Sequence, residues 1–240
     1  MAKPKKSAAG SIEIGSMERK VEFKQRKFKL SEKQVQLLDI CLNPDIKVVF
    51  IAGPSGTAKT FLGTYAALNL MAANKELELI YIRSIAESAD KSLGSLPGTV
   101  EEKFAPFLIP LEDKLDEIIT APTMVSLRKD GAISTLPINF VRGSSWQNKI
   151  VLCDEIQNLS KRELTTLITR IGENTKMFFS GDLMQNDIRQ SGFSQFMEAF
   201  DNEESRAKGI HVFKFDKSDI FRSEILKFIV EKIENMPKKV

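Results

Sequence analysis

The sequence predicts an α/β fold, one domain with a mainly parallel sheet covered by helices on both faces. Three observations predict it. Short, nearly all-apolar runs recur at residues 46–52, 77–83, 149–153 and 176–180, the mark of strands buried on both faces. Helical segments fall between them, and strands that alternate with helices imply parallel pairing. The first strand also runs into a helix through residues 53–60, Gly-Pro-Ser-Gly-Thr-Ala-Lys-Thr, close to the phosphate-loop pattern G-x-x-x-x-G-K-[ST].

The elements follow in order. Residues 1–17 hold Lys, Pro, Ser, Ala and Gly without periodicity and read as a basic, disordered tail; residues 18–240 read as the domain. Ser31 is placed to cap a helix whose apolar face is Val35, Leu37, Leu38 and Cys41. Strand 46–52 and the loop lead into an alanine- and leucine-rich helix over 61–71. Residues 77–83 form a second strand, and 84–100 a loop broken by Gly94, Pro97 and Gly98. Residues 101–119 are helical but interrupted by Pro106 and Pro110. A short strand is expected at 133–140, a buried strand at 149–153 and a helix at 161–171. Strand 176–180, helix 192–200, strand 210–215 and a terminal helix over 218–236 complete the chain. There are no internal repeats.

Composition narrows the function. The chain has 240 residues, 42% of them hydrophobic, which suits one domain with a large core. No run approaches the ~18 apolar residues of a membrane span, and the N-terminus is polar, so a soluble, cytoplasmic protein without a membrane partner is expected. Cys41 and Cys153 are too few for a disulfide framework or a metal cluster. His211, the one histidine, excludes His-dependent metal sites and argues against a Ser-His-Asp triad. Residues 1–29 hold nine basic and three acidic side chains, net +6, which leaves −3 on the rest of a chain of net charge +3. Such an arm suits nucleic-acid phosphates and a solvated tail equally.

The chemistry gathers at strand ends. A strand, loop and helix in that order aim backbone N–H groups and the positive end of a helix dipole at a phosphate. The candidate binding residues are Gly53, Pro54, Ser55, Gly56, Thr57, Ala58, Lys59, Thr60 and Phe61. Lys59 would reach the β- and γ-phosphates of a nucleotide, and Thr60 would ligate Mg²⁺. Ala58 stands where the pattern has its second glycine. Its methyl group lies beside the phosphates, and alanine suits the first helical turn but not φ > 0, so a weaker or slower site is expected. Strand 149–153 ends in Asp154 and Glu155, the first placed to hold Mg²⁺ and the second to act as general base on water. Strand 176–180 ends in Gly181-Asp182-Leu183-Met184-Gln185, where Gln185 is placed to sense the γ-phosphate.

These motifs, in this order, resemble PhoH-like proteins, ATPases related to the nucleotide-binding domain of superfamily 1 helicases. The resemblance extends to Leu93-Gly94-Ser95-Leu96-Pro97-Gly98, Glu102-Lys103-Phe104-Ala105-Pro106, Arg142-Gly143, Ser191-Gly192-Phe193 and Asp219-Ile220-Phe221-Arg222, and covers about residues 30–230. It implies a single RecA-like phosphate-loop NTPase domain using ATP and Mg²⁺, with RNA or single-stranded nucleic acid as partner. It also implies that Gln34 reads adenine, that Arg222 stabilises the transferred phosphoryl group, and that Arg142 contacts phosphate or nucleic acid. Helicases of that superfamily close their site between two such domains, so a homo-oligomer, a hexameric ring among its forms, is expected. Compact versions of this kind are typical of bacteriophage genomes; phosphate starvation, which names the family, is not written in these residues. Besides Ala58, the chain departs from the family at Ile156, which replaces alanine, and at Arg142-Gly143-Ser144-Ser145-Trp146, where a second arginine is lost. A nucleotide-dependent regulatory protein with little turnover is the alternative reading, and a small-molecule kinase ranks below both.

Overall fold

The computed structural model describes residues 25–84, 100–136, 145–185 and 191–220, together with 138, 141, 143, 225, 228, 229, 231 and 232; along 100–108 it describes the backbone alone. The N-terminal tail 1–17, the loop over 85–99, Arg142 and Arg222 lie outside the described residues.

Six strands form one parallel sheet: β1 (Val48–Ala52), β2 (Glu78–Arg83), β3 (Ile133–Thr135), β4 (Lys149–Asp154), β5 (Lys176–Gly181) and β6 (Ile210–Lys214). Their order across the sheet is β3-β2-β4-β5-β1-β6. Val48 pairs with Met177 on one side and Ile210 on the other, so the strand that feeds the phosphate loop lies inside the sheet. Strand side chains alternate between the two faces, and the core divides accordingly. Val49, Ile51, Ile150 and Leu152 pack with α1 (Glu32–Leu42), α2 (Lys59–Ala73) and α3 (Val100–Ile118). Val48, Phe50, Val151 and Cys153 pack with α5 (Lys161–Ile168) and α6 (Phe193–Phe200). Phe50 stacks on Phe179 at 5.1 Å and on Phe200 at 5.5 Å, each such pair adding about 1 kcal/mol beyond its burial.

Local sequence explains the helix starts. Ser31 accepts from the Gln34 N–H while the Gln34 side chain accepts from the Ser31 N–H, and Ser160 with Glu163 repeats the arrangement at α5. Such reciprocal caps satisfy two otherwise orphaned donors. Gly63 lets α2 press against the sheet, since a Cβ there would sit 2.8 Å from a Leu152 methyl carbon.

The structure also corrects the sequence reading. α3 runs unbroken through Pro106 and Pro110. Prolines four residues apart place both missing N–H groups on one side of the helix, and buried Leu111, Leu115 and Ile118 hold it against the core. α4 (Ala121–Lys129) and α7 (Glu203–Ala207) were not expected. α5 ends at Ile168, because Ile171 instead bridges in parallel to Trp146. β3 is three residues long rather than eight, with Pro137, Asn139 and Phe140 outside the described residues. Ser218 belongs to a 3-10 turn, Lys217–Asp219, rather than opening the terminal helix. Of that helix, residues 225, 228, 229, 231 and 232 are described and helical.

Candidate functional site

Three strand ends meet at the phosphate loop. The Gly53 N–H donates to the Gly181 carbonyl at 3.2 Å, and the Phe215 N–H donates to the Ala52 carbonyl at 2.8 Å. Gly53 is glycine for a steric reason: a Cβ would lie 2.6 Å from the Phe215 Cβ. Buried Thr57 braces the loop from within, its hydroxyl donating to the Pro54 carbonyl at 2.9 Å. Gly56 has φ 90° and Ala58 φ 63°. Ala58 thus takes the positive φ that the sequence reading named as unsuited to alanine. It caps α2 in the left-handed region, where a side chain costs about 1–2 kcal/mol and glycine nothing.

Lys59 opens α2 and folds back over the loop, its Nζ donating to the carbonyls of Gly53 at 2.7 Å and Pro54 at 3.0 Å. Burial pushes its ammonium below the ordinary lysine value, against the opposing pull of Asp182, Asp154 and Glu155. A desolvated cation bonded only to carbonyls gains when an anion enters.

Asp154 is where the structure goes beyond the motifs. Its carboxylate accepts from the Thr60 hydroxyl at 3.0 and 3.1 Å, from the Tyr81 hydroxyl at 3.0 Å and from the Ser180 hydroxyl at 2.6 Å. Tyr81 and Ser180 come from the strands on either side, β2 and β5, and both are buried. Burial and the Asp154 charge raise the Tyr81 phenol well above its usual range, so it stays a donor. Thr60 and Asp154 together offer a hard-oxygen pair of the kind that holds Mg²⁺ when phosphates and waters complete the octahedron.

Glu155 follows in a left-handed conformation, φ 55°. One of its oxygens lies 3.7 Å from an Arg83 guanidinium nitrogen, and the other accepts from the Gln157 amide at 2.6 Å. Gln157 is 1% exposed, and its carbonyl oxygen accepts the Asp182 N–H at 3.0 Å. It thereby ties the acidic pair to the end of β5.

The cleft above these groups has a volume of ≈ 390 Å³. Ser55, Gly56, Ala58, Lys59, Thr60, Phe61, Asp154 and Glu155 line it, as does Gln34 from α1. Gln34 is buried. Its carbonyl oxygen accepts from the Ser31 N–H at 3.0 Å, which turns its NH₂ group away from that bond. Gln185 sits exposed in the turn after β5 and is not among the lining residues. The cleft also takes Phe28, Lys29, Leu30, Lys114 and Glu117, none of which the sequence reading named as a binding residue. Phe28 packs edge-on to Phe61 at 4.9 Å, a contact between segments that no local pattern announces. Gln157 had a signal, its place beside the two acids, while Tyr81 and Ser180 had only their positions on strands. Both cysteines are free and buried; burial pushes the Cys41 thiol up to about 12.

Comparison with known proteins agrees with this geometry. Residues 28–234 match the family model for PhoH-like protein. A PhoH-like protein of Synechocystis is 32% identical over 232 residues, covering 95% of this chain and 66% of its own length. Protein PhoH of Escherichia coli is 30% identical over 201 residues, covering 82% of this chain and 55% of its own. The chain thus spans about two thirds or less of these relatives. Among solved structures, the large terminase of a thermophilic bacteriophage superposes with a TM-score of 0.52 at 12% identity, covering 89% of this chain and 52% of that one, a likeness of fold. Among the described residues, no helix is long and apolar enough to cross a membrane.

Proposed function

Because the chain belongs to the PhoH-like protein family and carries a phosphate-loop NTPase fold, we propose that it binds ATP with Mg²⁺ in this cleft, hydrolyses it, and acts on or is stimulated by RNA or single-stranded nucleic acid. The observation that carries the reading is the convergence of Lys59, Thr60, Asp154 and Glu155, from two separate elements, on one cleft.

The roles follow from position. The loop N–H groups and Lys59 bind the β- and γ-phosphates, Lys59 trading its carbonyl partners for phosphate oxygens. Thr60 and Asp154 would hold Mg²⁺, which would supply charge neutralisation for those phosphates. Tyr81 and Ser180 keep Asp154 oriented when Thr60 turns to its new partner. Glu155 accepts a proton from the attacking water, whose oxygen bonds to the γ-phosphorus as the bridging bond to the β-phosphate breaks and ADP leaves. Gln34 offers its NH₂ group to the adenine edge, and Phe28 gives the base an apolar wall. Gln185, carried on an exposed turn, senses the γ-phosphate after moving inward, and Arg222 stabilises the transferred group.

The basic arm over 1–29 is compatible with a nucleic-acid partner, since such segments can track phosphates. A second reading, a nucleotide-dependent binding or regulatory protein with little turnover, is favoured by one feature, the left-handed Ala58 in the loop. One assay separates them: ATP turnover with and without single-stranded RNA or DNA, with Lys59→Ala as control. We expect stimulated turnover that falls about 100-fold or more in the variant. Equal residual rates in both proteins leave only the regulatory reading.

A further inference from the structure

The two Glu155 oxygens meet different partners, one through a hydrogen bond and the other only through an ionic contact. Gln157 holds one at 2.6 Å, and it cannot let go cheaply: its carbonyl is fixed by the Asp182 N–H, so its NH₂ group must face the carboxylate. Arg83 faces the other oxygen at the longer distance of 3.7 Å. The two contacts differ in permanence. Gln157 is fully buried, whereas the Arg83 side chain is 26% exposed. Arg83 is also the last residue of β2, in register with Asp154, so it stands on the rim where ligands of parallel sheets bind.

We propose that Arg83 is a positioning residue that restrains Glu155 in the resting protein, and that a nucleic-acid phosphate releases the restraint by drawing the guanidinium away. The inference rests on the ATPase reading above and adds to it the contact through which a strand reaches the base. The chemistry favours the exchange. A guanidinium binds phosphate through two parallel N–H bonds, better than the single long contact it makes with Glu155. Once Arg83 leaves, that carboxylate oxygen is open to the proton of the attacking water, while Gln157 keeps the other in place. No bond is made or broken in the switch itself; one ionic contact replaces another.

The test compares wild type, Arg83→Gln and Arg83→Lys in ATP turnover with and without a single-stranded RNA or DNA oligonucleotide. In Arg83→Gln, kcat without the strand should rise roughly two- to fivefold, the worth of one partly exposed ion pair, and KM for ATP should stay put because Arg83 is not among the residues that line the nucleotide cleft. Stimulation by the strand should shrink toward one, and oligonucleotide affinity by fluorescence anisotropy should weaken with a salt slope lower by about one. Arg83→Lys, which keeps the charge but not the two-pronged phosphate contact, should hold the unstimulated kcat near the wild-type value and lose part of the stimulation. An unstimulated kcat that stays level or falls in Arg83→Gln, with wild-type stimulation retained, overturns the restraint while leaving the ATPase reading intact. A wild type that turns over no faster than Lys59→Ala, with or without the strand, overturns the ATPase reading and the restraint with it.

Discussion

Single residues decide how well this cleft works. Ala58 holds a φ of 63°, which strains any residue with a Cβ by about 1–2 kcal/mol, while glycine brings its own unfolded-state entropy cost of about 0.5–1 kcal/mol. Ala58→Gly should therefore stabilise the protein by about 0–1.5 kcal/mol, raising Tm by at most about 3–6 °C, and should tighten ATP binding. Fluorescence of buried Trp146 during heating reports the first, and a lowered Tm contradicts the strain. Tyr81→Phe removes one of three hydroxyls from a buried carboxylate. It should cost about 1–3 kcal/mol of stability and raise the Mg²⁺ concentration needed for nucleotide binding. A variant with an unchanged Mg²⁺ titration denies Tyr81 that orienting role. Lys59, Thr60, Asp154 and Glu155 were legible in the sequence, because a phosphate loop and an acidic strand end are local patterns. Gln157 had a signal in its place beside the two acids, whereas Tyr81 and Ser180 had none. Each acts across neighbouring strands, and their letters alone do not say which carboxylate they meet.

Among elements, the buried strands β1, β4 and β5 read clearly because both of their faces are apolar. β3 was overestimated and α4 missed, since neither short segment carries a strong period. α3 was misjudged for a different reason: tertiary burial of Leu111, Leu115 and Ile118 outweighs two lost N–H groups. Close approach between elements gives a test. Gly53→Ala would drive a methyl group against the Phe215 Cβ, 2.6 Å away, and should destabilise the protein by about 1–3 kcal/mol in urea unfolding; an unaltered midpoint shows that β1 and the end of β6 part easily. A second test concerns pH. Lys33 on α1 pairs with Asp216 at 2.8 Å and Asp219 at 2.5 Å, tying the helix that carries Gln34 to the turn beyond β6. The bond to Asp216 raises Lys33, and the bond to Lys33 holds Asp216 below the carboxylate range. A depressed acid contributes above its unfolded value and loses that contribution as pH falls through the folded one. Lys33→Met should thus differ from wild type at neutrality, with the gap starting to close below about pH 4 and vanishing only as pH falls through the depressed Asp216 value. A gap that persists in acid assigns the effect to the Lys33 ammonium lying over the Phe215 ring, 5.9 Å from its centroid, instead.

At the scale of the whole molecule, the strand order β3-β2-β4-β5-β1-β6 was invisible in the sequence, which determines the class of sheet but not which strand lies beside which. That order inserts β5 between the phosphate-loop strand and the acidic strand, and so places Ser180 beside Asp154 and Gly181 beside Gly53. It builds one wall of a nucleotide site. Among the described residues that line the cleft, the basic ones are Lys29, Lys59 and Lys114, with no arginine. A transferred phosphoryl group gains most from a rigid guanidinium on its open side, and the role proposed for Arg222 has two sources, this chain or a neighbouring copy. If copies pack head to tail, each site takes Lys59 from one chain and Arg222 from the next. Light scattering in the presence of MgATP should then show an oligomer, and a monomer under every nucleotide and salt condition removes the ring. Mixing distinguishes the two sources of the arginine. Lys59→Ala and Arg222→Ala should each be inactive alone, yet an equal mixture that exchanges subunits should recover about a quarter of wild-type turnover, the share of interfaces that draw an intact residue from each side. A mixture as silent as its components places the arginine in the same chain as the loop it serves.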